Sequence, residues 1–279
     1  MISGHTAVYA VVGQPVSHSL SPAMHNAAYA HLGMDAVYVA LPVEPAGLGA
    51  ALRGAHALGI RGLNVTVPHK QGAAAACTTL DRVAAEVGAA NTLRRAAEGW
   101  EGFNTDAPAC LALLEAAGLA KGARALLLGA GGAARAAGWA LARAGAEIRI
   151  AARRTGAAAA LADHLRATVA GARADAVDWD LAGAESARGD AVVNGTSVGL
   201  AGHEGRLPPL RLRRGQVVLD FVYGETELAR AARAAGARLV TGEQVLVRQG
   251  ALAFTLWTGR PAPEAVMAAA IGAGAGSSR

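Results

Sequence analysis

Aromatic side chains are scarce in this chain, at 4% of 279 residues, and charged residues are few, at 17%. The net charge of +5 favours anionic partners. Without arginine runs or aromatic stacking platforms, that charge does not describe a nucleic-acid reader. A small anionic substrate or a phosphorylated cofactor fits it better. There are two cysteines, Cys77 and Cys110, in alanine-rich, helix-forming contexts without metal-ligand spacing. They are expected to be free thiols of a reducing compartment, and no metal site is expected. No apolar run reaches the roughly 18 residues of a membrane span, and no basic segment precedes the first apolar stretch. Neither a membrane span nor a signal peptide is expected, and the expected location is cytoplasmic.

Much of the 53% hydrophobic content is alanine. Alanine is a strong helix former, so helices of small cross-section packed closely on sheets are expected. The charges are scattered, and nothing resembles disorder until the Gly/Ala/Ser tail after Ile271.

Along the chain, strands and helices alternate, the pattern of an α/β layer structure. A strand over 7–12 ends at Gly13 and leads into a loop rich in hydroxyls. Ser21 before Pro22 reads as an N-cap with proline in the first helical position. Ser19 and Ser21 either cap this helix or, with its N-terminal amides, seat a carboxylate. A second strand over 37–41 precedes a helix over 45–58. Asn64, Thr66 and Pro68 then alternate with Leu63, Val65 and Val67, the period of a half-buried strand. Pro68 stops it and places Lys70 just past its end. By itself this stretch reads as a strand with satisfied polar groups and a solvated lysine. A helix over about 71–87, Asn91, a short hairpin and Asp106 follow. Four strand ends within about a hundred residues thus carry serines, Asn/Thr/Lys, Asn and Asp, which points to one site.

The second half differs. An apolar strand over 124–128 leads into Gly129-Ala130-Gly131-Gly132-Ala133 and a helix to Gly145, with another strand over 148–152. This is the opening of a doubly wound nucleotide-binding unit: Gly129 for the tight turn, Gly131 for backbone approach to a pyrophosphate. The strand after it ends on Arg153-Arg154-Thr155 with no carboxylate. Two guanidiniums and a hydroxyl suit a 2′-phosphate better than a bare ribose diol, so the expected cofactor is NADP. Later strands lie over 191–193 and 217–221. The segment from Gln249 is helical and is expected to return to the first domain.

Taken together, Gly13-x-Pro15-x-x-His18-Ser19-x-Ser21-Pro22-x-x-His25-Asn26, Asn64-Val65-Thr66-Val67-Pro68-x-Lys70, Ala90-Asn91-Thr92, Asn104-Thr105-Asp106, the Gly129–Ala133 loop, Asn194-x-Thr196-Ser197, Asp220-x-x-Tyr223 and Gln249 with Trp257-Thr258-Gly259 resemble the shikimate dehydrogenase family over nearly the whole chain. The resemblance implies reduction of 3-dehydroshikimate with NADPH on the route to chorismate and aromatic amino acids. It implies Lys70 and Asp106 as the catalytic pair, with Ser19 and Ser21 on the substrate carboxylate. Asn64, Thr66, Asn91, Tyr223 and Gln249 would complete the substrate shell. Gly129, Ala130, Gly131, Gly132, Ala133, Arg153, Arg154, Thr155, Phe221 and Gly242 match cofactor-contacting positions. The implied organisation is a substrate domain over 1–107, a Rossmann-like NADP domain over 108–242, and C-terminal helices with a flexible tail over 243–279. The partner is a small anionic molecule, and the chain is expected to work as a monomer or homodimer.

Some residues depart from the family pattern. His69 stands in place of an aromatic, Ala107 in place of glycine and Gly195 in place of alanine or cysteine. Arg153 replaces asparagine and Ala158 a basic residue, a pair read as moving one positive charge around the 2′-phosphate. The segment after Tyr223 is short and lacks a common proline. A quinate/shikimate or aminoshikimate dehydrogenase of the same superfamily is the neighbouring alternative. A nucleotide-sensing relative without catalysis is the alternative outside the enzymes. Histidines 18 and 25 are expected to make structural hydrogen bonds.

Overall fold

A computed structural model of the chain describes residues 2–199 and 205–272. The tail expected after Ile271 lies, from residue 273, outside the described residues. The chain divides into two compact units, one of Met1–Thr105 with Leu246–Arg279, the other of Asp106–Val245.

In the first unit, strands β1 (Ala7–Gly13), β2 (Ala36–Pro42), β3 (Gly62–Val65), β4 (Thr79–Leu80), β5 (Thr92–Arg95) and β6 (Trp100–Phe103) form one sheet in the order β2-β1-β3-β5-β6-β4. Helices α1 (Ser21–His31) and α2 (Leu48–Ala57) are the crossovers that make β1, β2 and β3 parallel. Strands β5 and β6 form the expected hairpin, antiparallel to each other, with β5 also antiparallel to β3. A core of Val12, Leu52, Leu63, Val65, Leu93 and Trp100 lies on one face.

Three local expectations are corrected. β3 ends at Val65, and all four of its residues are buried, so it is a strand covered on both faces rather than a half-buried one. Thr66 donates its N–H to Val12 O at 2.9 Å, and the His69 N–H turns back to Thr66 O at 2.9 Å, leaving Thr66 to Pro68 as a turn. The helix expected over 71–87 is two, α3 (Lys70–Ala76) and α4 (Arg82–Val87), with β4 between them. The break has a local cause: the Asp81 carboxylate accepts from the Ala84 amide at 2.8 Å and starts a new helix. Third, Leu20 holds the N-cap position of α1, and Ser21 is its first helical residue.

The second unit has a fully parallel sheet of β7 (Arg124–Leu128), β8 (Glu147–Ala151), β9 (Arg173–Val177), β10 (Ala191–Asn194), β11 (Val217–Asp220) and β12 (Arg238–Val240). Its order, β12-β11-β10-β7-β8-β9, is that of a doubly wound dinucleotide-binding sheet, reversing direction between β7 and β10. Strands β7 and β10 are apolar along most of their length because they are buried on both faces. The helices of this unit are α5 (Asp106–Ala116), α6 (Gly132–Arg143), α7 (Thr155–Thr168), α8 (Ala182–Arg188) and α9 (Glu227–Ala234).

Helix α10 (Gly242–Thr258) begins in the second unit and continues into the first, followed there by α11 (Glu264–Ala270). Neither cysteine is bridged by a disulfide. Cys110 is buried in α5, and burial pushes the Cys77 thiol, at the end of α3, up to about 11. Among the described residues no helix is long and apolar enough to cross a membrane.

Candidate active site

The first unit gathers amides and hydroxyls at the ends of β3, β5 and β6. Asn91 is buried: its side-chain oxygen Oδ1 accepts from the Thr105 N–H at 2.7 Å, and its NH2 donates to Thr105 Oγ1 at 3.0 Å and Gln249 Oε1 at 3.3 Å. Gln249 in turn donates to Leu246 O at 2.9 Å within α10. Asn64 donates to Thr92 Oγ1 at 3.0 Å and to Asn91 O at 3.2 Å, and accepts from the Tyr38 hydroxyl at 2.7 Å. Thus Asn64, Asn91 and Gln249 belong to one buried network, although Asn91 and Gln249 lie 158 positions apart in sequence. Thr92 and Thr105 are members of it too. Both lie inside motifs quoted above, but sequence gives no sign that their hydroxyls face the amides. Thr66 is adjacent, half-buried in the turn after β3, where a Cβ on Gly13 would collide with its side chain.

Lys70 opens α3. Its carbonyl accepts from the Ala90 amide at 2.9 Å, which ties this helix start to the residue before Asn91. His69, the residue that departs from the family pattern, is buried and turned away to Val43 O, 2.6 Å from Nε2. A carbonyl only accepts, so Nε2 carries a proton and the ring clamps the β2–α2 connection, the place an aromatic would fill by packing alone. Ser19 is half-buried and its Oγ accepts from the Ser21 amide at 3.3 Å; Ser21 is buried at the start of α1.

His25 corrects another expectation. Neither ring nitrogen has a hydrogen-bond partner among the described residues. The ring stacks on Tyr38, with centroids 4.4 Å apart and planes 8° from parallel. Burial pushes its pKa from 6.5 down to about 3, so it is neutral in the folded chain. The unfolded chain binds the proton first, so stability owed to this neutral ring is complete above 6.5 and is lost as pH falls from there toward 3. The loss is confined to the window between those two values. Thermal melts across it are expected to fall more steeply for the native chain than for His25→Phe; parallel profiles would reject this account.

In the second unit, glycines after β7 and after β10 answer different demands. Gly129 has φ +100°, and its amide donates to Ala151 O at 2.8 Å. Gly195 must lack a Cβ, which would come 2.7 Å from the Ala134 Cα; this is why glycine here admits the start of α6 so closely against the end of β10. Gly131 meets neither demand. It is the N-cap of α6 with ordinary φ and no capping side chain, and no atom lies within 4 Å of where its Cβ would stand. The space over it is open, as needed for a pyrophosphate to approach α6 amides at Gly132 and Ala133. Ala130 completes the turn, half-buried.

Arg153, Arg154 and Thr155 are exposed together where β8 passes into α7. Ala158, in contrast, is fully buried on the inner side of α7. Its side chain therefore packs into the core of this unit and does not face the exposed Arg153 and Arg154. A Cβ on Gly242 would come within 2.7 Å of Phe221 O, so the start of α10 lies against the backbone after β11. Asp220, buried, accepts from Asn194 at 2.9 Å and Thr226 at 2.6 Å, locking the β10 and β11 ends together. Burial outweighs these bonds and raises its pKa.

Asp106 is buried at the first position of α5, where a carboxylate complements the helix dipole. Burial, reinforced by the carboxylates of Asp106 and Glu243, raises the pKa of Tyr223 above that of an ordinary phenol. Tyr223 is therefore a hydrogen-bond donor at neutral pH. Among the described residues no group of three His, Cys, Asp or Glu is placed to hold a metal ion.

A six-stranded parallel sheet with an open glycine turn and exposed arginines at its second strand, joined to a unit with a buried amide network, defines a two-unit nucleotide-dependent dehydrogenase class. Residues 11–93 match the shikimate dehydrogenase substrate binding domain, and residues 242–271 match the shikimate 5′-dehydrogenase C-terminal domain. Shikimate dehydrogenase (NADP(+)) of Anaeromyxobacter sp. (strain K) is 69% identical over 277 residues, covering 99% of this chain and 100% of its own. The shikimate 5-dehydrogenase of Thermus thermophilus, solved with NADP(H) and shikimate, is 37% identical with a TM-score of 0.81, covering 95% of this chain and 98% of its own. The quinate dehydrogenase of Corynebacterium glutamicum, solved with NAD, is 31% identical with a TM-score of 0.84, covering 95% and 98%. The chain belongs to the shikimate dehydrogenase family.

Proposed function

We propose that this chain is an NADP-dependent shikimate dehydrogenase, interconverting 3-dehydroshikimate and shikimate in the cytoplasm as a monomer or homodimer. The observation that carries this reading is the buried network of Asn64, Asn91, Thr105 and Gln249, which arrays fixed donors and acceptors suited to a small polyhydroxylated ring. NADPH, when bound, supplies hydride to the ketone carbon. The new alkoxide needs a proton, and the Lys70 ammonium is its donor, with Asp106 sharing that proton and orienting the lysine. Ser19 and Ser21 hold the substrate carboxylate through their hydroxyls, beside the amides of the α1 start. Asn64, Thr66, Asn91, Tyr223 and Gln249 bind the ring hydroxyls and carboxylate. Gly129 to Ala133 seat the pyrophosphate, Arg153 to Thr155 hold the 2′-phosphate, and Phe221 and Gly242 line the nicotinamide end.

The test is the absorbance of reduced cofactor formed from NADP+ or NAD+ with shikimate or quinate. Turnover is expected with NADP+ and shikimate; preference for quinate with NAD+ would support the reading drawn from the quinate-acting relative, and absence of turnover would support a binding protein. In the same assay Arg154→Ala is expected to raise KM for NADP+ about tenfold, the scale of one charge-assisted hydrogen bond, and to leave KM for NAD+ nearly unchanged. Equal losses for both cofactors would remove the 2′-phosphate assignment.

A further inference from the structure

The segment His25-Asn26 stands in the strongest sequence motif of the first unit, yet neither residue enters the proposed chemistry. Both converge on Tyr38. Asn26 brackets its backbone, accepting from the Tyr38 N–H at 2.8 Å and donating to its carbonyl at 2.8 Å. His25 lies flat against its ring. The ring is fully buried, and its hydroxyl reaches Asn64 Oδ1 at 2.7 Å.

This contact sets which end of the Asn64 carboxamide is available. The backbone oxygen of Asn91 only accepts, so the Asn64 NH2 must face it, at 3.2 Å, and its second hydrogen is directed to Thr92 Oγ1 at 3.0 Å. Both amide donors are thereby used. The carboxamide oxygen then faces Tyr38, whose hydroxyl must be the donor and takes one of its two lone pairs. One acceptor site remains.

We propose that Tyr38, held by His25 and Asn26, is a positioning residue that fixes the Asn64 carboxamide so that its oxygen accepts from a substrate ring hydroxyl. This rests on the assignment of Asn64 to the substrate shell. Without the Tyr38 hydroxyl the oxygen loses its anchor and the amide its fixed rotamer, whereas the cofactor half of the reaction involves neither residue.

The experiment is a double-mutant cycle of Tyr38→Phe and Asn64→Ala in the full chain, read as kcat and KM for shikimate and KM for NADP+. Tyr38→Phe keeps the ring and its stack. It is expected to raise KM for shikimate about tenfold, with kcat changed less than about threefold and KM for NADP+ unchanged. In the Asn64→Ala background the same substitution is expected to change KM for shikimate by less than about twofold, because its only route of action is gone. A KM for shikimate that stays at the wild-type value in Tyr38→Phe overturns the proposal while leaving the activity standing. So does an equal penalty in both backgrounds, which is the mark of a general packing role. Wild-type chain without shikimate turnover overturns the functional reading and the proposal together, and an Asn64→Ala variant with unchanged KM removes Asn64 and Tyr38 alike. Should Tyr38→Phe melt below the assay temperature, Asn26→Ala, which loosens the strand under Tyr38 and leaves the phenol intact, is read through the same cycle with the same expectations.

Discussion

Lys70→Ala is expected to lower kcat for shikimate oxidation by about 10²- to 10⁴-fold, the range of a lost general acid or base, with a far smaller change in KM. The position itself argues that the lysine is not there for the helix. It is the first residue of α3, where a cation opposes the helix dipole by about 0.3–1 kcal/mol. Removing it should therefore leave the start of α3 intact. The backbone that carries it is pinned independently, by the Ala90 amide on its carbonyl and by the His69 turn, and neither contact needs the side chain. A chain that still folds and no longer turns over is the expected pair of results. Retained turnover would remove the catalytic role, and loss of activity accompanied by a large fall in melting temperature would point to a structural one.

The second large effect is expected at Gly131. Nothing in the protein approaches a Cβ there, and its φ of −80° is open to any residue. Gly131→Ala should fold with a stability cost of no more than about 1 kcal/mol, from the poorer N-cap. Its methyl group would occupy the space through which a pyrophosphate reaches the α6 amides. Losing two charge-assisted hydrogen bonds corresponds to roughly a hundredfold or greater rise in the Kd for NADPH. Titration calorimetry with NADPH, beside a melt of the free chain, separates the two effects. Gly195→Ala is the instructive contrast: its Cβ would strike Ala134, so stability should suffer along with binding.

The layered α/β fold and the doubly wound second sheet are legible from sequence because their signals are local: an apolar strand, a glycine turn and an alanine-rich helix follow one another within about twenty residues around Gly129. The expectation of NADP draws on an equally local signal, the side chains immediately after β8. The helix break near Asp81 is also local, yet alanine on both sides masks it; the capping aspartate restarts the helix just after β4, which pairs with β6. Asn64 is a different case. Alternation marks one of its faces as polar, but in the structure both faces of β3 are covered, and the polar face is satisfied by Tyr38 and Thr92 rather than by solvent. Which residues meet there is set by register between β1, β2, β3 and β5, and no spacing within a single strand contains it. Ala158 shows the same limit in reverse. Read by position after Thr155 it belongs to the phosphate site, and read by helix face it belongs to the core.

The first unit has an unusual dependence on the far end of the chain. Its sheet is built from the first 105 residues, but Trp257 donates to Leu93 O at 3.0 Å and lies so close to β3 that a Cβ at Gly62 would strike its indole. Phe254 lies against Tyr29, with ring centroids 5.5 Å apart. The residues that cover this sheet are therefore separated from it in sequence by the whole dinucleotide-binding sheet, which is itself continuous. The first unit is thus completed by two separate stretches of chain: Tyr9 of β1 and Tyr29 of α1 meet the rings of Trp257 and Phe254 from α10, so any event that detaches this one helix uncovers both tyrosines at once.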